Sequence, residues 1–600
     1  MAKELLKRED VKTEDTWKLE DMYNSREEWE QDLKEISELS EKIAKMAGKV
    51  GGSAKTLLQV LEWNACMGEK LMLAYNYAQR LYDQDQNNSK HQAMSAKTMS
   101  VYARVTELTA FLEPEIVEMD GEKLEHYYQE LPGLELYRGQ IEEICRLKEH
   151  CLSAEMEKLL ALSTEMRETA SDTFSVLDNA DFQFPEVVDE QGENTRITHG
   201  RYGKLMESSD RRVRRETFEK YYSVYKQFNN TLASLYNGQV KSQIFYAKAK
   251  KYNSTLEASV EQNNVSPQVY HNLVDTIDQN LDKLHRYVRL RKKCLGVDEL
   301  HMYDIYTPMI PGVAKEIPFE EAKETVLKAL APLGEDYLAK LREGFENRWI
   351  DVYENEGKRS GAYSAGAYGT HPYVLLNYSG SLDSMFTLAH EMGHALHSCY
   401  SNENQPFIYS DYKIFVAEVA STTNEILLME YLLKNTTDKK EKAYLLNHYL
   451  DSFKGTIFRQ TQFAEFEMRS NALCESGESL NAENLNEMYM ELNKKYYGSD
   501  MISDDEIQYE WSRIPHFYYN FYVYQYATSF SASVAVAKAI LEEGAPAVER
   551  YKRFLSGGCS KSPVELLKIA GVNMETPEPI EKAMDAFEDI LVKLEKLLDE

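Results

Sequence analysis

Through most of the chain, apolar residues recur at three- and four-residue spacing, the pattern of one buried face on an α-helix. "LMLAYNYAQRLYDQDQ" and "TMSVYARVTELTAFLEPEIVEM" carry it within 16–180, which reads as a series of amphipathic helices. The pattern breaks near 181–205. There "DFQFPEVVDEQGENTRITHG" alternates, holds a proline and then a "DEQGEN" turn cluster, which predicts a β-hairpin. We place the main boundary at that point, with a helical N-terminal lobe at 1–200 and a second domain at 201–600.

Helix resumes over 207–300. The segment "MYDIYTPMIPG" at 302–312 has two prolines and no helical period, and a helix pair is expected at 319–347. Residues 357–381, "GKRSGAYSAGAYGTHPYVLLNYSGS", are glycine-rich. Within them "PYVLLNY" is short, apolar and bounded by turn residues, as a buried strand would be, and "KRSGAYS" is a candidate neighbour. The tail, 580–600, predicts one amphipathic helix.

Composition supports a mostly helical chain. Its 28 glycines and 15 prolines in 600 residues fall below the usual ~7 % and ~5 %. The net charge of −30 and the lack of a dense basic run with interleaved aromatics disfavour nucleic acid and anionic lipid as partners. Seven cysteines, an odd number with no C-x-x-C pair, suit free thiols in a reducing compartment. The start, "MAKELLKRED", has no apolar secretory core, and no run approaches the ~18 apolar residues of a membrane span. Cytoplasmic residence is the expectation. Oligomeric state stays open.

Candidate chemistry concentrates in "SMFTLAHEMGHALHSCY", 384–400, where three of the chain's 13 histidines stand within a few residues. Ser381 and Asp383 are candidate N-caps for a helix here. On that helix His390 and His394, one turn apart, lie about 40° from alignment on one face, so both imidazoles can reach one ion. Glu391 sits beside them, able to reach a water on that ion but poorly placed to ligate it. This is the H-E-x-x-H pattern, in which two histidines hold zinc and the glutamate is general base. Gly393 lets another element pack closely.

A catalytic zinc needs a third ligand and an open position. His397 shares the face but stands about 4.5 Å further along the axis, which suits packing or support behind the ligands. The better candidate is Glu418 in "YKIFVAEVASTTNEILLMEYLL", among the small residues Ala417, Ala420, Ser421 and Thr422. It would complete a His-His-Glu set. Glu425, two turns on, could orient a ligand histidine from behind.

"FTLAHEMGHALH" with "FVAEVASTTNE" resembles the thimet-oligopeptidase-like zinc peptidases, most closely their bacterial oligoendopeptidase F branch. The glycine-rich segment, "IPHFYYNFYVYQYATSFSASVA" and "FLSGGCSKSPVELLKIAGVNM" are similar to that branch too. The likeness is strong over 200–580 and looser before it. It implies a mostly α enzyme with two helical lobes around a deep channel and a small β-sheet near the zinc-binding helix. It also implies one Zn2+ per chain, cleavage of internal bonds in short peptides, and a catalytic domain at 201–600. Carried over, His390, His394 and Glu418 are the zinc ligands and Glu391 the catalytic base.

In similar enzymes a histidine and tyrosines from the region matching 513–526 stabilise the oxyanion. His516, Tyr519, Tyr522 and Tyr526 are the matching candidates here. Tyr519, Tyr522 and Tyr526 share a face if the stretch is helical; Tyr522, Tyr524 and Tyr526 share one if it is a strand. The following "SFSASVAVAKAI" favours helix. The segment 359–378, with Gly361, Ala362, Tyr363, Ser364 and His371, is the expected sheet edge for a substrate chain. Two alternatives stay open: a zinc carboxypeptidase with the same ligand set, and a non-catalytic helical peptide-binding scaffold with a structural metal.

Overall fold

The computed structural model describes residues 5–310 and 316–599. Helices dominate, and every strand is short. The chain forms two compact units, each assembled from separate stretches of sequence. The first comprises Met1–Ala154, Lys315–Leu428 and Val536–Gly571; the second comprises Glu155–Ala314, Met429–Ala535 and Val572–Glu600.

In the first unit the helices Arg26–Ala44, Ala54–Gln84 and Ser89–Thr109 pack on one another. Ser25 and Ser53 cap the first two, each accepting an N–H three residues on, from Glu28 and Thr56. Leu33, Ile36 and Ile43 line the buried face of the first helix, each worth about 1.5–3 kcal/mol in removed apolar surface. "TMSVYARVTELTAFLEPEIVEM" does not form one helix. It divides into Ser89–Thr109 and Leu112–Val117.

A three-stranded sheet completes this unit. Its central strand, Tyr373–Leu375, runs parallel to Ile350–Asp351 and antiparallel to Tyr363–Ala365. "PYVLLNY" and "KRSGAYS" thus supply the two strands expected of them. Tyr373 and Leu375 are buried in the same core as the N-terminal helices. The chain start reinforces the sheet from behind. Trp17 Nε1 donates to Val374 O at 2.8 Å, and Arg8 pairs with the buried Asp351. Lys358 meets that carboxylate at 2.7 Å with both side chains inaccessible, so the buried charges are paired.

The second unit has an aromatic core. Tyr221, Tyr222, Tyr225, Tyr236, Tyr270 and Tyr489 are all fully enclosed. Buried tyrosines need partners for their hydroxyls. Tyr236 meets Ser470 Oγ at 2.8 Å, Tyr270 donates to Ala464 O at 2.7 Å, and Tyr489 donates to Glu510 at 2.6 Å. Burial alone would raise Glu510, but Arg459 and Arg513 overcome it and hold the carboxyl down at about 2.

The hairpin forms as Glu186–Val188 against Asn194–Arg196, and the expected pair as Phe319–Ala329 and Glu335–Glu346. Past a 3-10 turn at Met302–Asp304 the chain runs irregularly; Pro311 and Gly312 lie outside the described residues. The tail is helical over Glu578–Asp599. One pairing was not anticipated: Leu300–His301 runs parallel to Met501–Ile502. Strands of two residues are too short to show alternation. Among the described residues no helix is long and apolar enough to cross a membrane.

Candidate metal centre

The motif lies on the helix Leu382–Asn404. Ser381 is its N-cap, accepting the Ser384 N–H at 3.1 Å, and Asp383 is a first-turn acid. Glu418 stands on the helix Ile414–Asn435. Gly393 explains how closely the two approach: a Cβ there would lie 2.6 Å from Ser421 Cα and 2.8 Å from Ala420 O. Only a residue without a side chain fits. Asn424 fastens the same pair, donating to Ala389 O at 3.1 Å while accepting Tyr337 OH at 3.0 Å.

This packing brings His390, His394 and Glu418 together. They form the metal-competent group found among the described residues, with ligand atoms within 4.8 Å of one another. Glu418 Oε2 lies 3.4 Å from His390 Nε2 and 3.6 Å from His394 Nε2. Charged N–H···O bonds are shorter, about 2.7–2.9 Å. Two ligands sharing a tetrahedral zinc at ~2.05 Å stand about 3.3 Å apart. The spacing therefore fits donors around one ion better than an ion pair, and two nitrogens with one carboxylate oxygen are a donor set that zinc accepts.

Neighbouring groups fix the donors. Glu425 Oε1 lies 2.5 Å from His390 Nδ1, which leaves His390 Nε2 for the cluster. Ser421 Oγ donates to Glu418 Oε2 at 3.0 Å. Tyr412 OH reaches His394 O at 3.4 Å and Ser398 Oγ at 3.0 Å. Replacing Glu425 by Ala is expected to weaken metal binding about 10- to 100-fold, read by competition with a chromogenic chelator; unchanged affinity would show that the contact does not orient the ring.

The electrostatics follow from burial among carboxylates. Burial would lower His390, but Glu418 and Glu425 carry it well above the usual imidazole range. Burial and the adjacent His390 charge lower His394 to about 4. Burial would raise Glu418, yet the two histidines hold it at about 2. Glu391 is 6 % exposed, and its Oε2 has no partner. Burial first, then Glu418 and Glu425, push it up to about 7, against the pull of His390 and the Ser364 N–H. A carboxylate near neutrality with a free oxygen is equipped to take a proton.

Ser364 belongs to Tyr363–Ala365, one of the two edge strands of the sheet. Gly361, with φ +83°, and Ala362 lead into it. Tyr363 is anchored by its hydroxyl to the buried Asp83 at 2.6 Å. A cavity of about 400 Å³ adjoins the cluster, lined among others by Ser364, Tyr368, Tyr412, His394 and Glu418. His371 lies flat on Trp349 at 5.3 Å, its ring nitrogens engaged by Pro372 O at 2.7 Å and Asp21 at 3.2 Å. His397 is enclosed, stacked on Tyr412 at 3.7 Å and tilted against Phe554. Burial and then His394 lower it to about 3. Its place is a packing one.

Reading the sequence passed over Asp83, Tyr412 and Asn424. Asp83 gave no signal, being one acid on a helix nearly three hundred residues before its partner. Asn424 could have been noticed as an amide on an otherwise apolar helix face.

The second unit holds the remaining candidates. His516 stacks on Tyr522 at 5.9 Å and meets Tyr519 and Tyr526 edge-on at 5.5 and 6.0 Å. Tyr519 is 53 % exposed. Burial and then Arg459 lower the His516 imidazole. The helix expected through these tyrosines does not form before Tyr524. Asn520 and Phe521 are left-handed, with φ +55° and +56°, and no right-handed helix passes through such residues. The tyrosines gather around a turn instead of along a helical face.

The chain is similar to known proteins along its whole length. The family model described as Peptidase family M3 matches residues 204–586, and one described as Oligopeptidase F matches 115–184. Oligopeptidase PepF of Bacillus subtilis strain 168 is 49 % identical over 597 residues, covering 100 % of this chain and 89 % of the relative. An oligoendopeptidase F homolog of Lactococcus lactis is 43 % identical, covering 97 % of each. The solved oligoendopeptidase-F of Enterococcus faecium superposes with TM-score 0.75 at 42 % identity, over 96 % of this chain and 99 % of that one. With the motif, the cluster and the full-length relatives in accord, the chain belongs to peptidase family M3 and is a metalloendopeptidase of oligopeptides.

Proposed function

We propose that the reaction centre is a single zinc ion held by His390, His394 and Glu418, with Glu391 as general base. The observation that carries this is the convergence of three donors at 3.4 and 3.6 Å beside a buried carboxylate oxygen that has no partner. A bound zinc ion supplies an acidified water and polarises the scissile carbonyl. The chain supplies the rest. Glu391 Oε2 accepts the water's proton and delivers it to the leaving amine. Glu425 keeps the His390 ring in register. His516, Tyr519, Tyr522 and Tyr526 are the proposed donors to the oxyanion; support for them is the family resemblance and their gathering around one imidazole. The edge strand Tyr363–Ala365 is the proposed rail for the peptide, whose backbone it would grip whatever the side chains.

The catalytic domain is proposed to begin near residue 201, which the family match from 204 supports. Cytoplasmic residence is proposed from the odd number of cysteines and the lack of a C-x-x-C pair.

The test pairs metal analysis with cleavage of a quenched peptide blocked at both ends. One zinc per chain, internal cleavage, loss of activity with chelator and recovery on adding zinc are expected. Intact blocked peptide would point to an exopeptidase or to a scaffold. Recovery with another divalent ion but not zinc would reject the metal assignment.

A further inference from the structure

The segment carrying His516 and the tyrosines adopts a costly backbone. A left-handed conformation costs roughly 1–2 kcal/mol for a residue with a side chain, and Asn520 and Phe521 take it in succession. Asparagine tolerates it; phenylalanine has no such preference. Something must over-determine the turn. Three side chains of the second unit do so. Gln239 Nε2 donates to Tyr518 O at 3.0 Å, Ser259 Oγ donates to Asn520 O at 2.7 Å, and Glu467 Oε1 accepts the Phe521 N–H at 2.6 Å.

Glu467 is the unusual member. It is fully buried, on the helix Arg459–Glu475. Its Oε2 has no partner, and no cation pairs with it among the described residues. Burial pushes it up to about 8, opposed by the Phe521 N–H. A carboxyl group in such a place costs stability, so packing alone does not account for it. Its side-chain bond goes to the backbone of the turn.

We propose that Glu467 is a positioning residue: its carboxyl group holds the left-handed Asn520–Phe521 turn, and the turn sets His516, Tyr519 and Tyr522 in place for substrate. This rests on the oxyanion role given above to those residues. Glu467→Met removes the acceptor and keeps the length; Glu467→Gln keeps an acceptor oxygen for the Phe521 N–H.

The expected result is that Glu467→Met lowers kcat about 10- to 100-fold, the effect of an ångström-scale misplacement. KM, zinc content and Tm should stay near those of the parent, or Tm should rise, and Glu467→Gln should keep most of kcat. A purely structural role would instead lower Tm and leave kcat intact. His516→Ala and Tyr522→Phe separate the two readings. If they lose kcat and Glu467→Met does not, the positioning role is overturned while the oxyanion reading stands. If they keep full kcat, the oxyanion reading fails and takes the positioning role with it. Should Glu467→Met not fold, Asn520 serves: Ala there disfavours the left-handed turn and should lower kcat, while Gly should not. Equal kcat in those two would also overturn the proposal.

Discussion

Glu391→Gln is expected to lower turnover by about 10²- to 10⁴-fold, the range that general acid–base catalysis supplies, while the protein keeps its fold and its metal. The amide has nearly the same shape and can still accept the Ser364 N–H that meets the carboxylate. It cannot take a proton. Metal should be retained because Glu391 stands outside the donor cluster, which consists of His390, His394 and Glu418. Stability should not fall, since a buried carboxylate pushed up to about 7 is replaced by a neutral group that loses less on burial. Turnover of a quenched peptide and metal content per chain, measured on one preparation, decide the matter. Full turnover removes the base assignment. Loss of turnover together with loss of metal makes Glu391 a ligand or its support.

Gly393→Ala is expected to damage the centre without touching a ligand. The new Cβ would meet Ser421 Cα at 2.6 Å and Ala420 O at 2.8 Å. Both are backbone or Cα atoms of a neighbouring helix, so no flexible side chain can give way. Overpacking of this kind costs about 1–3 kcal/mol. Relief requires the helices to part, and Glu418 is carried on the one that moves away from His390 and His394. Metal affinity should therefore fall at least about tenfold, as for other disturbances around ligands, along with Tm. Gly238→Ala is the contrast: it lies in the helix Asn229–Ala249 with nothing within 4 Å of its Cβ. That change should stabilise by up to ~1 kcal/mol through helix propensity. Calorimetry and chelator competition read both. If Gly393→Ala keeps parental affinity and Tm, the close helix crossing is not what sets the ligand spacing.

What could be read from the sequence was what the chain encodes locally. His390 and His394 announce themselves because one helical turn separates them. Glu418 was within reach because the interval after His390 leaves room for a turn and a return, and small residues flank it. The strands Tyr363–Ala365 and Tyr373–Leu375 were marked by the turn residues around them. Contacts of long sequence separation were not legible. Nothing in the sequence says that Trp17 reaches Val374, that Asp83 holds Tyr363, or that Asn424 ties one helix to the other. The tyrosine segment misled for a different reason. Its spacing is helical, yet Asn520 and Phe521 are left-handed, and their backbone bonds to side chains from distant parts of the sequence.

The supports behind the sheet bear on how this protein can be divided. Residues 8–21 touch it through Arg8 and Trp17 and reach the adjoining His371 through Asp21, and Asp83 grips its outer strand. The portion recognised as peptidase, 204–586, contains none of these four. Expressed alone, that portion would carry every proposed ligand yet lack the braces for the strand beside Glu391. The limits of one family model are therefore not the limits of the fold, and a scissors cut along them would leave the candidate centre with its back wall missing.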